Sequence, residues 1–313
     1  MPSPRLSIAV PVFNEEQVIP ELLVRLRRVL NEVPGGPHEL VFVDDGSADR
    51  TFEMLAAAAA ADPRITAIAL SRNFGHQIAI TAALDHVSGD LVVVMDGDLQ
   101  DPPEAIPVLL EQQRAGYDVV YAQRVQRKEG WLLRACYFLF YRLVARLSTI
   151  HLPIDAGDFA VLSRRVVDRL KEAPEHHRYL RGLRAWVGYR QIGIPIERAR
   201  RDVGYSKYSP IRLMGLALDG VFAFSVAPLR LAAVLGVLAM CCSSLFAVYS
   251  VYVRLVAPQP TQGFTALILA MTFLAGVELL VMGIVGEYVG RIYEEVKRRP
   301  HYVIDQIARQ SRG

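Results

Sequence analysis

Two stretches near the C-terminus constrain this chain more than any other feature. Residues 231–253 carry no charged side chain, and residues 264–286 carry one, Glu278. At 1.5 Å per residue each forms a helix of about 34 Å, enough to cross a hydrocarbon core of about 30 Å. A buried helix of a soluble protein is rarely this long and this uniformly apolar, so two membrane spans are expected. Glu278 would then sit at membrane depth, where a carboxylate needs a partner. Ser243, Ser244 or a neighbouring subunit are the expected ones.

The flanks of these stretches set a direction. Lys207, Arg212 and Arg230 precede the first, and Arg291, Lys297, Arg298 and Arg299 follow the second. The connector, residues 256–263, has no basic residue, with only Arg254 nearby. The positive-inside rule puts both termini in the cytoplasm. No signal peptide precedes the first strand-like run, which keeps the N-terminal part on the same side. Cys136, Cys241 and Cys242 form an odd set without metal-site spacing, as suits reduced thiols. A net charge of +3 over 313 residues gives no support to nucleic-acid binding.

Before the spans, apolar runs alternate with helical patterns. Strands are predicted over residues 6–10, 39–43, 65–70, 91–95 and 118–122, and helices over 16–30, 48–62, 77–87 and 103–115. This rhythm predicts an α/β domain with an open, mostly parallel, Rossmann-like sheet and helices on both faces. Ligands in such sheets bind beyond the carboxyl ends of the strands. Polar clusters stand at those ends: Asn14-Glu15, Asp44-Asp45-Gly46-Ser47 and Asp96-Gly97-Asp98. Neither a Gly-x-Gly-x-x-Gly turn nor a Walker-type Gly-Lys-Ser/Thr occurs, which counts against dinucleotide dehydrogenases and P-loop nucleotidases.

Asp96 and Asp98 emerge one residue apart where a buried strand ends. Paired carboxylates of this kind suit a hard divalent cation, which in turn holds a diphosphate. Residues 123–146 interleave Arg124, Arg127, Lys128, Arg134, Arg142 and Arg146 with Trp131, Tyr137, Phe138, Phe140 and Tyr141. That pattern fits a helix lying in a bilayer interface, or an amphipathic helix packed on the sheet. Residues 209–224 read as a second interfacial helix. The expected organisation is a sheet domain over 1–208, a juxtamembrane helix over 209–226, a two-helix membrane region over 227–288 and a tail over 289–313.

Taken in order, the motifs resemble the family 2, GT-A fold glycosyltransferases. They are Pro11-Val12-Phe13-Asn14-Glu15-Glu16, Val43-Asp44-Asp45-Gly46-Ser47, Arg72-Asn73-Phe74-Gly75-His76-Gln77 and Asp96-Gly97-Asp98-Leu99-Gln100-Asp101-Pro102-Pro103-Glu104. Asp155-Ala156-Gly157-Asp158-Phe159, Arg181-Gly182, Trp186-Val187-Gly188-Tyr189 and Ser206-Lys207-Tyr208 follow. With the two spans, the set is most similar to the polyprenyl-phosphate branch, which includes the dolichol-phosphate mannose synthases and bactoprenol glucosyltransferases. The processive synthases of this fold carry Gln-x-x-Arg-Trp. Here the context is Leu183-Arg184-Ala185-Trp186, so one sugar per cycle is expected.

The resemblance implies a metal-dependent enzyme of the cytoplasmic (inner) membrane that transfers one sugar, with inversion, from a nucleotide sugar to a polyprenyl phosphate. UDP-glucose is the favoured donor, with GDP-mannose or a UDP-linked amino sugar as alternatives. It also implies a homo-oligomer. Mg²⁺ or Mn²⁺ would lie on Asp98 and Asp96, with Gln100 completing the shell. Pro11, Phe13, Asn14, Glu15, Asp44, Asp45 and Asp96 would hold the donor. Arg124, Arg127 and Lys207 would hold the lipid phosphate, with Arg201 on either phosphate group. Asp158 would be a base or an orienting carboxylate, with Asp155 as its alternative, or would pair with an arginine. A scaffold or transporter carrying a degenerate sheet domain is the competing class.

Overall fold

The computed structural model describes residues 5–124, 156–176, 178–197, 227–256 and 263–310. The chain divides into two compact units, Met1–Tyr141 with Ile150–Lys207 and Arg299–Gly313, and Arg142–Thr149 with Tyr208–Arg298.

The first unit is an eight-stranded sheet. Its strands are β1 (Leu6–Val12), β2 (Glu39–Asp44), β3 (Ile65–Leu70), β4 (Leu91–Val94), β5 (Val119–Arg124), β6 (Ala156–Ser163), β7 (Gln191–Ile196) and β8 (Ile304–Arg309). They lie in the order β7-β5-β6-β4-β1-β2-β3-β8. The centre, β4-β1-β2-β3, is parallel, in line with its Val- and Ile-rich strands buried on both faces. β6 runs antiparallel between β4 and β5, β8 runs antiparallel along β3, and β7 is parallel to β5. This is the GT-A arrangement: a mixed, mostly parallel sheet.

Alternation along the strands feeds two cores. Ile8, Val10, Phe42 and Val93 face α1 (Ile19–Glu32), α2 (Thr51–Ala61) and α4 (Ile106–Arg114), the last entered through a short 3₁₀ turn, Pro103–Ala105. Ala9, Val41, Ile68 and Val92 face α3 (His76–His86), α5 (Arg164–Glu172) and α6 (Leu180–Val187). In α1 the buried residues Ile19, Leu22, Leu26 and Val29 recur at helical spacing.

Two helices start three residues later than the periodicity predicts. Before α1, the backbone N–H groups of Asn14, Glu15 and Glu16 are bonded to side chains of the loop after β2, and Pro20 suits the first turn. Before α2, the same loop is occupied with that task, and Asp49 accepts the Thr51 N–H at 3.0 Å. The expected tail, residues 289–313, contains regular structure within its described part. Residues 289–297 continue a helix and Ile304–Arg309 form β8, the edge of the sheet.

The second unit holds α7 (Ala227–Val256) and α8 (Phe264–Lys297). The most apolar stretches of 18 residues within Pro228–Val253 and Leu267–Lys297 have mean hydropathies of 2.4 and 2.3. Their large apolar side chains, such as Leu245, Leu255 and Phe273, face outward, a surface that suits lipid rather than water. The unit is membrane-associated. Past the predicted span, α8 gains pairs that suit an aqueous end, Glu287 with Arg291 and Glu294 with Lys297, both at 2.8 Å. It ends on Arg298 in the left-handed region (φ 48°), followed closely by Pro300. Ser244 donates to the Met240 carbonyl of its own helix at 2.9 Å. Glu278 lies on the outer surface of α8.

Candidate functional site

The site begins as a knot of three loops at the carboxyl ends of β1, β2 and β3. Asn14 follows β1 with φ 54°, a left-handed conformation that asparagine tolerates. Its N–H donates to Ser47 Oγ (2.8 Å), and its Oδ1 accepts the Ala48 N–H (2.9 Å). Glu15 N–H donates to Thr51 Oγ1 at 2.9 Å. Asp44, buried at the end of β2, accepts the Ser47 N–H at 3.2 Å and the Ser47 hydroxyl. Burial lifts its carboxyl above the ordinary value, against the pull of those two bonds.

Asp45 accepts the Phe74 N–H (2.7 Å) on one oxygen and the Gly75 N–H (2.9 Å) on the other. It is thereby the anchor of the third loop. Between these residues, Gly46 has φ 72°, and a Cβ there would lie 2.5 Å from the Arg72 carbonyl carbon. Only glycine allows that approach.

The acidic turn after β4 lies beside this knot. Gly97 packs on β1, where a Cβ would stand 2.5 Å from Val12 Cγ1. Leu99 is left-handed (φ 56°), and Asp98 Oδ1 accepts the Gln100 N–H at 3.1 Å. β6 starts at the same edge because it runs against its neighbours, and it brings Asp158 with it.

A line of charged groups then crosses the site. Asp96 Oδ1 is 3.4 Å from His76 Nε2, which is 3.7 Å from Asp158 Oδ2. Arg181, at the start of α6, donates to both Asp158 oxygens, at 2.9 and 2.7 Å. Behind it the buried Arg184 donates to the Gly157 carbonyl at 2.9 Å, with its Cζ 5.7 Å from the Tyr121 ring centroid. Burial pushes Arg184 down to about 10. Burial alone would raise Asp158 as well, but its bonds to His76 and Arg181 override this and hold it well below the usual carboxylate range. His76 loses basicity to burial and regains more from Asp158 and Asp96, so it stands above its ordinary value. Asp96 goes the other way. Burial raises it to about 6, and neighbouring Asp158, Asp98 and Asp101 add to the rise against the opposing pull of His76.

The structure thus brings together Pro11, Phe13, Asn14, Glu15, Asp44, Asp45, Asp96, Asp98, Gln100 and Asp158 at one sheet edge. Phe13 is 45% exposed there. Arg124 closes β5 at that edge, paired in register with Ile196. Arg127, Asp155, Arg201, Lys207, Cys136 and nearly all of both interfacial segments lie outside the described residues. Sequence reasoning assigned no role to His76, Arg181 or Arg184. The signal was present in Arg72–Gln77 and Arg181-Gly182, but no spacing in the chain says that these segments meet.

The family model described as glycosyl transferase family 2 matches residues 7–171. An uncharacterised glycosyltransferase of Bacillus subtilis is 42% identical over 301 residues, covering 96% of this chain and 93% of the relative. Bactoprenol glucosyl transferase of Shigella phage SfII is 40% identical, covering 96% and 97%. The chain belongs to glycosyltransferase family 2. Among solved structures, this glycosyltransferase is similar to the mannosyltransferase of Pyrobaculum calidifontis in complex with GDP-Man and Mn²⁺. That similarity has a TM-score of 0.47 at 18% identity and covers 95% and 88% of the two chains.

The acids of this glycosyltransferase fit a hard cation. Asp96 and Asp98 crowd negative charge with Asp101 and Asp158, and Asp96 holds a proton more tightly than a free carboxylate does. A divalent cation relieves that crowding. Among the described residues no group of three or more His, Cys, Asp or Glu side chains forms a closed cage. An open set of one or two carboxylates, completed by phosphate oxygens and water, is the usual way Mg²⁺ is held.

The raised Asp96 pKa has a stability consequence. The folded chain binds this proton more tightly than the unfolded chain, so ionised Asp96 opposes folding. The penalty grows from about pH 4 to about pH 6 and is constant above. Without divalent cation at pH 7.5, Asp96→Asn is expected to stabilise the sheet unit by about 2–3 kcal/mol, and the gain should shrink towards zero near pH 4. Equal stability of the two proteins at pH 7.5 in an unfolding titration would refute the assignment.

Proposed function

We propose that this glycosyltransferase moves one sugar from a nucleotide sugar, UDP-glucose first among them, to the phosphate of a polyprenyl phosphate at the cytoplasmic face of a membrane. The observation that carries the reading is the 40% identity to bactoprenol glucosyl transferases over 301 residues, a span that takes in both apolar helices. The basic flanks of those helices support cytoplasmic termini. The interfacial segments over 123–146 and 209–224, with Lys128, Arg134 and Arg142, would meet anionic head groups.

Pro11, Phe13, Asn14, Glu15 and Asp44 hold the base and ribose. Asp98 and Asp96, with Gln100, would hold Mg²⁺ or Mn²⁺, which when bound supplies Lewis-acid stabilisation of the departing diphosphate. Arg181, steered by Asp158, adds fixed positive charge beside Asp96, where negative charge gathers as the glycosidic bond breaks.

The acceptor phosphate is already an anion at neutral pH, so it needs alignment with the anomeric carbon more than a base. Asp158 suits that demand: ionised and gripped by Arg181, it is a poor proton acceptor and a good orienting group. Arg124, Arg127 and Lys207 hold the lipid phosphate in planar or point contacts, and Arg201 serves the donor diphosphate or the acceptor. In-line attack on an α-linked donor then gives a β-linked lipid phosphate sugar.

Two measurements test this. Purified enzyme given a panel of nucleotide sugars should release nucleoside diphosphate only when a polyprenyl phosphate and a divalent cation are both present. Chelation should abolish the release, and Asp98→Ala should lower kcat by about 10²–10³-fold or more. Undiminished turnover in Asp98→Ala, or equal turnover with water as acceptor, would refute the reading. The anomeric proton of the product should show a β linkage, and an α linkage would overturn the inverting course.

A further inference from the structure

The C-terminal strand does more than cover the edge of the sheet. β8 pairs with β3 from Thr66↔Arg309 to Leu70↔Ile304, and an edge strand in that position shields β3 from stray pairing. The residues just before it make contacts that edge protection does not require. Val303 carbonyl accepts the Ser71 N–H at 2.9 Å, holding the start of the loop that leads to His76. Tyr302 donates its hydroxyl to Asp85 Oδ2 at 2.9 Å, near the end of α3. Its ring tilts against His86, with centroids 6.4 Å apart, and packs with Ile304 on the core beneath α3. Burial and the adjacent Asp85 carboxylate keep the phenol protonated, as a donor must be. His301 stacks on His176, with centroids 5.2 Å apart, in the connection from α5 to α6.

These contacts fall on α3 and on the segments that lead into α3 and α6, the two helices that carry the charged line across the site. α3 begins with His76, and α6 carries Arg181 and Arg184. The helices also meet directly, Leu180 N–H donating to Gln77 Oε1 at 2.9 Å. We propose that His301, Tyr302 and Val303 form a strap that positions α3 and α6, and through them the His76–Asp158–Arg181 geometry. The strap is a positioning element of the active site, supplied by the chain directly after α8, with residues 298–300 between. The proposal rests on the glycosyl-transfer reading of that site.

The test uses the full-length enzyme in membranes or detergent. The variants are Tyr302→Phe, His301→Ala with Tyr302→Phe, Asp85→Asn and, as a control on the exposed side of β8, Asp305→Ala. The double variant is expected to lose about 10-fold or more in kcat, with donor KM within about twofold, as befits misalignment rather than lost binding. Amide exchange at Phe74 and Gly75, whose N–H groups are held by Asp45, should rise about 10-fold without any substrate. Tyr302→Phe should show the same pattern more weakly. Asp85→Asn keeps an acceptor for the hydroxyl and should match the unsubstituted enzyme, as should Asp305→Ala. Unchanged kcat in the double variant would overturn the strap, and so would faster exchange confined to β3 and β8. If the unsubstituted enzyme proves indifferent to polyprenyl phosphate, the functional reading falls, while the exchange experiment still judges the strap by itself.

Discussion

The constraint on which this site depends is the crowding of carboxylates at one sheet edge. Asp44, Asp45, Asp96, Asp98, Asp101 and Asp158 gather there, four of them buried. Isolated, such groups would repel one another and resist losing water. The chain answers each differently. Asp44 takes a serine hydroxyl and amide, and Asp45 takes two backbone N–H groups. Asp158 takes an arginine in a two-point grip. Burial raises the Asp96 carboxyl to about 6, against the pull of His76. Asp98, Asp101 and Asp158 add to that rise, so the crowding is felt most at the acidic turn after β4.

The same division separates holding from reacting. Asp45 and Asp158 look alike in sequence to Asp96 and Asp98, yet their oxygens are committed to a loop and to Arg181. Burial and partners, not residue type, set these carboxylates apart. An acceptor that arrives as an anion removes the need for a base, and the low proton affinity of Asp158 is consistent with chemistry that runs on alignment and fixed charge.

Much of the fold could be read from local pattern because local pattern governs it. The parallel core strands are continuous apolar runs, α1 repeats its buried face every three or four residues, and residues 231–253 and 264–286 carry a single charged side chain, Glu278, between them. The acidic turn was legible because it follows a buried strand directly. What escaped depends on contacts distant in sequence. The starts of α1 and α2 are displaced because Asn14, Glu15 and Glu16 bond to residues more than thirty positions away. The place of Asp45 is set by Phe74 and Gly75. His76 and Arg181 meet through Asp158, across more than a hundred residues of chain. β8, with its polar Asp305 and Gln306, carries no strong strand pattern, and only its register against β3 reveals it.

The reversed strand β6 explains why the sheet can serve two substrates at one edge. A purely parallel sheet delivers every strand's carboxyl end to the site and sends every amino end away. Because β6 runs the other way, the chain leaves β5 at Arg124 and enters β6 at Ala156 on the same edge, with Gln123 and Ala156 in register. β7, parallel to β5, also ends there, with Ile196 beside Arg124. Arg124, Ala156 and Ile196 therefore all stand at this edge. The sequence that follows Arg124 and Ile196 carries Arg127, Arg201 and Lys207, which are proposed to meet the phosphate groups. One antiparallel strand thus brings the ends of β5 and β7 and the start of β6 to the edge at which β1, β2 and β4 also end.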